Sequence, residues 1–333
     1  MKNLFLGKTI LITGGAGSIG SSLARKLLQY NPKTVRLLDI NETGLFDLKR
    51  ELDTDKIRLL IGDIRDRDRL KRAVESVDIV FHAAALKHVA LCEFNPFEAI
   101  QTNVLGTKNL IEVALDEEIE KFITISTDKA ANPINVLGAS KLLAERLTVS
   151  ANLYKGKRKT VFSCVRFGNV LNSQGSVLPI FVDQIRKGGP VTLTDNGMTR
   201  FVMSIEKAAE LVLKAALVSK GGEIFILKMS ALRIKDLAQA AIEELAPRFG
   251  RDPKKIKTIF IGRRNGEKMY EELMTESESE IVSESEDLFI LPEFELSKRN
   301  GRKTCPKIYK SKDSELMTVA EIRQLLRESL KLN

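Results

Sequence analysis

The sequence lacks the features that would place a protein in a membrane or in an oxidising compartment. No apolar run among its 333 residues is long enough to cross a bilayer, and its start has no basic-then-apolar signal pattern. The cysteines Cys92, Cys164 and Cys305 are far apart and odd in number, which suits neither a disulfide framework nor a zinc knuckle. No repeat of fixed period is present. We therefore expect a protein of the reducing cytoplasm, with no metal site and no membrane insertion.

Charge of one sign is only moderately in excess. Lys and Arg total 53 against 44 Asp and Glu, which gives a net charge of +9. Such an excess can mark a nucleic-acid surface, a site for an anionic substrate or a solvated surface. Because charges of both signs are interspersed along the chain, we favour a solvated surface and expect no nucleic-acid partner.

The sequence does contain a series of short apolar runs rich in Ile, Leu and Val, separated by amphipathic segments of helical length. In the first half these runs are residues 9–13, 35–39, 57–63, 77–85 and 121–127. This alternation is typical of βαβ units. It predicts an α/β fold with a Rossmann-type, doubly wound parallel sheet.

A glycine-rich loop, TGGAGSIG, follows the first predicted strand and opens the first predicted helix. Glycine at Gly14, Gly17 and Gly20 lets the backbone turn tightly, approach a pyrophosphate and pack helix against strand, while free amides at the helix start face the anion. An acidic residue, Asp39, follows about twenty positions later at the end of the second predicted strand. Together these features indicate a dinucleotide-binding site.

The residues after each strand suggest which dinucleotide binds. The Asp39 carboxylate would accept hydrogen bonds from an adenosine ribose diol and would repel a 2′-phosphate, so we favour NAD over NADP. Asp63, at the end of the third predicted strand, either meets the adenine edge or serves as a helix N-cap or turn residue. The other residues assigned to the cofactor adjoin these positions; they are Ser18, Ile19, Ile64, Ala83 and Ala84.

The second half of the chain is less regular. Gly and Pro punctuate residues 173–197, and helical patterns resume at 204–219, 233–246 and 318–330, the last with Thr318 as its N-cap. The acidic, serine-rich run 275–287 suggests an exposed loop. We predict a dinucleotide-binding domain from residues 1–168 and 201–228, and a smaller, discontinuous α/β substrate-binding lobe, with the C-terminal helix, from residues 169–200 and 229–333.

Four longer motifs narrow the family: ISTDKAANPINVLGASK, RFGNVLNSQGSVLPIF, MTRFVMSIEKA and GEKMYEEL. With them the chain resembles the extended short-chain dehydrogenase/reductase superfamily and, more closely, the UDP-N-acetylglucosamine (UDP-GlcNAc) 4,6-dehydratases of polysaccharide and flagellin-sugar biosynthesis. The resemblance extends from about residue 8 to about residue 292. It implies conversion of UDP-GlcNAc to a UDP-4-keto-6-deoxy sugar, with a tightly bound NAD or NADP recycled in each turnover. Some such enzymes also invert C5, and we favour inversion here.

The resemblance also assigns catalytic roles. Oxidation at C4 acidifies the C5 proton, a base then removes that proton, an acid protonates the leaving C6 hydroxyl, and the hydride returns to C6. Asp128 corresponds to the acid and Lys129 to the base, Thr127 to the partner of the C4 hydroxyl, and Lys141 to the residue that holds the nicotinamide ribose. The alternatives are a surface ion pair for Asp128 and Lys129, an N-cap role at the strand end for Asp128, and a solvated helix lysine for Lys141.

The tyrosine expected four residues before Lys141 is absent, because this position is Leu137. Leu can neither donate nor accept a proton. A subset of the dehydratases that the chain resembles carries Met there, in a similar setting. We therefore expect the C4 proton to leave through Thr127, by way of a water that reaches Asp128, while Lys141 favours the transient alkoxide.

The loop after the fourth predicted strand and the irregular second half should bind the nucleotide sugar. The residues assigned to it are Lys87, His88, Asn169, Ser176, Arg200, Arg264 and Glu267. Guanidinium groups suit a diphosphate because they offer forked donors, whereas Glu267 could accept from a ribose or uracil group and Lys87 could simply be solvated. Many relatives have Arg at the position of Gln174, and His82 is expected to be structural.

Two other functions remain open on the sequence. A UDP-hexose 4-epimerase uses the same transient oxidation at C4, but such enzymes normally keep the tyrosine and lack the Asp-Lys pair. A catalytically inactive nucleotide-binding scaffold or sensor would explain Leu137. We also expect a homo-oligomer, since helices that flank such a sheet can form a subunit interface.

Overall fold

The computed structural model describes residues 1–263, 266–292 and 309–332. Its strands are β1 Thr9–Thr13, β2 Thr34–Asp39, β3 Ile57–Ile61, β4 Ile79–His82, β5 Lys121–Thr127, β6 Val161–Phe167, β7 Asn169–Val170, β8 Val191–Leu193, β9 Thr199–Met203, β10 Ile224–Leu227, β11 Ser230–Arg233, β12 Thr258–Phe260, β13 Ser283–Glu284 and β14 Leu288–Leu291.

The α-helices are α1 Lys2–Phe5, α2 Ser18–Leu28, α3 Glu42–Leu52, α4 Arg67–Val74, α5 Val89–Phe94, α6 Pro96–Ala99, α7 Thr107–Asp116, α8 Val136–Tyr154, α9 Val177–Lys187, α10 Ile205–Val218, α11 Ile234–Leu245, α12 Glu276–Ser279 and α13 Val319–Leu330. A π-helical segment spans Ile100–Gly106, and short 3₁₀ turns span Asp128–Ala130, Pro247–Phe249 and Pro253–Lys255.

A nine-stranded sheet forms the centre of the molecule, in the order β13-β14-β10-β6-β5-β4-β1-β2-β3. Neighbouring strands from β3 to β10 pair in parallel, and β14 and β13 add antiparallel strands at one edge. Strand β1 is buried along its whole length, as expected for a strand covered by helices on both faces. The predicted doubly wound α/β fold is confirmed.

The strand order reverses between β1 and β4. Chain connections leave this point in opposite directions, so a crevice opens at the carboxyl ends of these two strands. The glycine-rich loop after β1 and the loop after β4 both lie there. The topology therefore places the predicted dinucleotide loop at the usual ligand position of such folds.

The smaller part of the molecule has its own apolar core. Side chains of α9, α11 and α13 pack together with those of β8, including Phe181, Leu237 and Leu326. Two further small sheets belong to this half of the chain, β11-β9-β7 and β12-β8. Strands β13 and β14 join the large sheet instead, although the sequence pattern places residues 229–333 in the lobe.

Three predicted helices form close to their predicted bounds, as α10, α11 and α13. Thr318 caps α13 in a capping box with Glu321, as its N-cap assignment requires. The prediction of an exposed loop at residues 275–287 is confirmed only in part. Seven of these residues are exposed, namely Glu276, Ser277, Glu280, Ile281, Glu284, Ser285 and Glu286. The segment also forms the short helix α12 with its own capping box, buries Val282, and pairs Glu278 with the buried Arg166.

Over the described residues, no helix combines the length and the apolar character that a membrane crossing requires.

Candidate active site

A cleft of about 990 Å³ runs across the carboxyl ends of the parallel strands. Most of the residues predicted for cofactor and substrate line it; they are Gly14, Gly17, Ser18, Ile19, Gly20, Asp39, Asp63, Ile64, Ala83, Ala84, Lys87, His88, Thr127, Lys129, Lys141, Asn169, Ser176, Arg200 and Glu267. Asp128 lies behind the wall of the cleft, fully buried. Arg264 lies outside the described residues.

The glycine-rich loop has no room for side chains at two of its glycines. A Cβ at Gly14, where φ is +69°, would lie 2.7 Å from the Ala84 nitrogen, and a Cβ at Gly20 would lie 2.1 Å from the Gly14 oxygen. Helix α2 begins beside this loop, with Gly17 at its N-cap and no side chain capping its amides. The loop and the open helix start therefore fit a pyrophosphate.

Asp39 is held at the end of β2 by two backbone amides. The Ala16 N–H donates to its Oδ2 and the Asn41 N–H to its Oδ1, each at 3.0 Å. Asp63 is bound instead by Arg65, through the backbone N–H at 2.9 Å and Nε at 2.8 Å. Burial raises the pKa of Asp63, but these bonds outweigh it and hold the pKa below its usual value. Asp63 thus forms a turn and also faces the cleft.

His82 lies beneath the cleft and is almost fully buried. Its Nδ1 is 2.7 Å from Thr13 Oγ1, and its Nε2 is 2.9 Å from Thr107 Oγ1. Burial, helped by the nearby charge of Lys141, lowers its pKa to about 3, so the ring stays neutral. The hydrogen bonds on both ring nitrogens agree with the structural role expected for it.

Asp128 and Lys129 form a close pair just after β5. Asp128 Oδ1 accepts from Lys129 Nζ at 2.9 Å and from Thr127 Oγ1 at 2.8 Å. The Thr127 contact is direct, so the water expected between these two side chains is not needed. Asp128 Oδ2 is buried and finds no hydrogen-bond partner among the described residues.

Lys129 has a second acidic neighbour, Glu271, whose Oε1 lies 3.5 Å from Nζ. Burial lowers the pKa of Lys129, but the charges of Asp128 and Glu271 outweigh burial and raise it above the usual value. Lys129 therefore rests as an ammonium. Glu271 is missing from the predicted site; its only signal in the sequence is the double glutamate of the GEKMYEEL motif.

Lys141, on α8, also lines the cleft and donates to the Ile125 carbonyl oxygen at 2.6 Å. Burial lowers its pKa. One turn earlier, Leu137 lines the cleft with 3% of its surface exposed and packs in a small apolar cluster with Cys92 and Ala99. At the position of the missing phenol the wall of the cleft is thus apolar.

The loop that carries Gln174 closes over one side of the cleft. The backbone N–H of Gln174 donates to Ser18 Oγ at 2.9 Å, and the backbone carbonyl of Gln174 accepts from Lys87 Nζ. A Cβ at Gly175 would lie 2.4 Å from His88 Cε1, so His88 packs directly against this loop. The loop therefore connects the dinucleotide-binding side of the cleft to Lys87 and His88.

Arg200 and Ser176, which are both assigned to the nucleotide sugar, differ in their bonding. Arg200 donates to the carbonyl oxygens of Thr199 at 2.7 Å and Lys268 at 2.8 Å, and lies 3.8 Å from both Glu267 and Glu271. Ser176 caps α9, and its buried Oγ finds no hydrogen-bond partner among the described residues. Arg200 is thus largely occupied in holding the segment that carries Glu271.

A family model described as polysaccharide biosynthesis protein matches residues 10–293. The chain is 62% identical to an uncharacterized membrane protein of Methanocaldococcus jannaschii, over 98% of both chains. It is 41% identical to a UDP-glucose 4-epimerase of Rickettsia akari, over 86% of this chain and 82% of that one. It is 40% identical to an inverting UDP-GlcNAc 4,6-dehydratase of Campylobacter jejuni, over 86% and 84% respectively.

Solved structures agree with the fold. The crystal structure of Pen from Bacillus thuringiensis matches with a TM-score of 0.92 and 43% identity, over 97% of this chain and 98% of that one. The dTDP-glucose 4,6-dehydratase DesIV of Streptomyces venezuelae, crystallised with NAD, matches with a TM-score of 0.69 and 24% identity, over 78% and 86%. The resemblance stated from the motifs is confirmed at the level of the family and the fold.

Proposed function

We propose that this chain, which belongs to the polysaccharide biosynthesis protein family, is an NAD-dependent UDP-GlcNAc 4,6-dehydratase. The observation that carries the proposal is the Asp128–Lys129 pair: Asp128 is fully buried and hydrogen-bonded to Thr127, while Lys129 is partly exposed and lines the cleft. Dehydration across C5 and C6 needs an acid and a base side by side, and this pair supplies both. The relative of Campylobacter jejuni that carries this activity in its name supports the choice.

The cleft fits the dinucleotide along its first side. Gly14, Gly17 and Gly20 would face the pyrophosphate, Asp39 the adenosine ribose and Lys141 the nicotinamide ribose. When bound, NAD would take the hydride from C4 of the sugar and return it to C6. The nucleotide sugar would occupy the other side, toward Lys87, Asn169, Ser176 and Arg200.

Thr127 supplies the path for the C4 proton that Leu137 cannot supply. A C4 hydroxyl bound to Thr127 Oγ1 would pass its proton to that oxygen while the Thr127 proton moves to Asp128 Oδ1, across the 2.8 Å bond. Asp128 does not line the cleft, so it would return this proton through Thr127 Oγ1 to the C6 hydroxyl, which leaves as water. Lys129, on the cleft wall, is the base for C5 once it has lost its own proton.

A UDP-hexose 4-epimerase is the second candidate, favoured by the relative of Rickettsia akari. An epimerase returns the hydride to the other face of C4 and removes no water, so it has no use for an acid-base pair at C5 and C6. The Asp128–Lys129 ion pair at the cleft is our reason for ranking the epimerase second. C5 inversion, a tightly held and recycled cofactor, a cytoplasmic location and a homo-oligomeric state belong to the same proposal.

Incubation with UDP-GlcNAc in deuterated buffer separates the candidates. The proposal predicts a C6 methyl signal in the proton spectrum and deuterium at C5, with ring couplings that report whether C5 is inverted. A galacto-configured hexosamine without a C6 methyl group would establish the epimerase instead. If the protein binds NAD but turns over no UDP-hexose, both enzyme functions are excluded and the catalytically inactive scaffold is the remaining hypothesis.

A further inference from the structure

Glu271 is a buried acidic side chain next to the proposed base. It lies 3.5 Å from Lys129 Nζ and 3.8 Å from Arg200 Nε, and it is 2% exposed. Its Oε2 is buried with no hydrogen-bond partner among the described residues. Glu271 does not line the cleft, so it reaches the substrate only through Lys129.

The segment that carries Glu271 is fixed from three sides. The Glu271 backbone N–H donates to Ser311 Oγ at 3.0 Å, and Ser311 Oγ is 2.9 Å from Thr199 Oγ1. The Arg200 guanidinium holds the Lys268 carbonyl. The charged groups that face the Glu271 carboxylate are Lys129 and Asp128 from the end of β5, Arg200 from β9 and Lys268 from its own segment.

We propose that Glu271 is a positioning residue that acts through Lys129: it stores the Lys129 proton while Lys129 works as the base at C5. This inference rests on the proposed dehydratase function. Its geometric basis is the Nζ–Oε1 approach, on the side of Lys129 away from the cleft. Burial raises the pKa of Glu271 even though the charge of Lys129 opposes the shift, so Glu271 accepts a proton more readily than an exposed carboxylate.

The proposed reaction requires an acceptor for the Lys129 proton. The proposal starts from a cluster that holds one proton, on Lys129, between the Asp128 and Glu271 carboxylates. Oxidation at C4 releases a second proton, which passes through Thr127 to Asp128. Lys129 can then become neutral only if its proton moves to a third group, and Glu271 is the acidic group within reach. A phenol at position 137 would have provided another acceptor for the C4 proton.

The count closes over the cycle. Lys129 gives its proton to Glu271 and takes the C5 proton, while Asp128 gives the C4 proton to the C6 hydroxyl, which leaves as water. Lys129 then returns a proton to C5 as the hydride reaches C6, and Glu271 returns the stored proton to Lys129. The substrate has lost one water, and all three side chains are back in their starting state.

The test is Glu271→Gln, which keeps the size of the side chain and removes its proton-accepting oxygen. At about pH 7 kcat should fall about 10- to 100-fold, with KM for UDP-GlcNAc nearly unchanged because Glu271 does not line the cleft. In the variant, Lys129 must lose its proton to solvent before substrate closes the site. Its kcat should therefore rise about tenfold per pH unit until Lys129 is neutral, whereas the wild-type kcat should stay nearly flat from about pH 7 to about pH 9.

Glu272→Gln is the matched control, since Glu272 is the adjacent buried glutamate and pairs with Lys310 at 3.3 Å. It should keep the flat pH profile of the wild-type kcat.

A Glu271→Gln variant whose kcat is independent of pH, at any level of activity, would overturn the proposal, because a purely structural role lowers kcat equally at every pH. If that variant does not fold, the wild-type profile decides alone: a tenfold rise per pH unit there would show that no internal store exists. If the wild-type protein forms no product with a C6 methyl group, the proposed dehydratase function itself is excluded. That outcome is distinct from a failure of the Glu271 proposal.

Discussion

Among the described residues, the cluster of charge around Arg166 and the cluster around Lys129 are bonded very differently. In the first, the Arg166 guanidinium binds Glu145 through Nε and NH2 at 2.9 and 2.7 Å, and Glu278 through NH1 and NH2 at 2.8 and 3.0 Å. All four carboxylate oxygens are thereby used. In the second, Asp128 and Glu271 flank Lys129, and each keeps one buried oxygen with no partner among the described residues.

The difference teaches how the same residue types serve two purposes. A buried ion pair with every oxygen satisfied holds one arrangement, because any change leaves a charge without its partner. An under-bonded cluster has spare acceptors and close alternatives for a proton, which suits acid-base chemistry. Arg166 also binds the Leu273 carbonyl oxygen at 3.1 Å, so the saturated cluster fastens the segment that places Glu271 beside Lys129.

The largest effect should come from Asp128→Asn, which breaks the under-bonded cluster with little change in shape. Asn cannot hold the proton that C6 requires, so kcat for dehydration should fall about 10²- to 10⁴-fold. The melting temperature should stay close to wild type, because Lys129 keeps Glu271 as a partner. Steady-state kinetics measures kcat, and thermal unfolding measures the melting temperature. A variant with a clearly lower melting temperature but a wild-type kcat would contradict the role that we give to the Lys129 cluster.

Arg166→Met breaks the saturated cluster and should act on stability. Two buried carboxylates lose their common partner, so the free energy of unfolding should fall by about 3–5 kcal/mol in denaturant titrations. Arg25→Met removes the exposed Arg25–Glu51 pair as a control and should cost only about 0–1 kcal/mol. Equal losses of unfolding free energy in the two variants would mean that the buried Arg166 cluster stabilises the fold no more than an exposed ion pair does.

Thr127→Val tests whether the C4 proton enters the under-bonded cluster through the hydroxyl. Valine keeps the shape of threonine but cannot bond Asp128, so kcat should fall about 100-fold while NAD still binds. Turnover measurements and a calorimetric titration with NAD check the two statements. Near-normal turnover in this variant would rule the Thr127 relay out.

The smallest effect should come from Leu137→Met, at a position that lies beside the cluster but contributes no proton. The volume is nearly conserved and the surrounding contacts with Cys92 and Ala99 are apolar, so the cost should stay below about 1.5 kcal/mol, with kcat within a few-fold of wild type. A loss of two orders of magnitude would show that Leu137 does more than fill space.

Local patterns in the sequence predicted the parts of the site that local structure builds. The glycine loop, Asp39 and the loop after β4 follow strands whose carboxyl ends meet at one edge of the sheet, so their convergence follows from the strand order. Asp128, Lys129 and Lys141 came from motifs that the chain shares with a family.

Contacts between distant segments could not be predicted in the same way. The approach of Glu271 to Lys129 depends on how the last third of the chain packs against β5 and β9. The acidic run 275–287 is typical of a solvated loop, and only the fold shows that Glu278 meets the buried Arg166. Charge patterns alone do not distinguish a solvated carboxylate from one that neutralises a buried cation.

The central claim is that this cleft oxidises C4, removes water across C5 and C6, and returns the same hydride to C6. UDP-GlcNAc labelled with deuterium at C4 tests it directly, with the product followed by mass spectrometry and proton NMR. The account predicts that the deuterium moves within the molecule, so that the product loses one water and carries a CH₂D group at C6. A UDP-hexosamine that keeps its oxygen at C6 and its deuterium at C4 would contradict it.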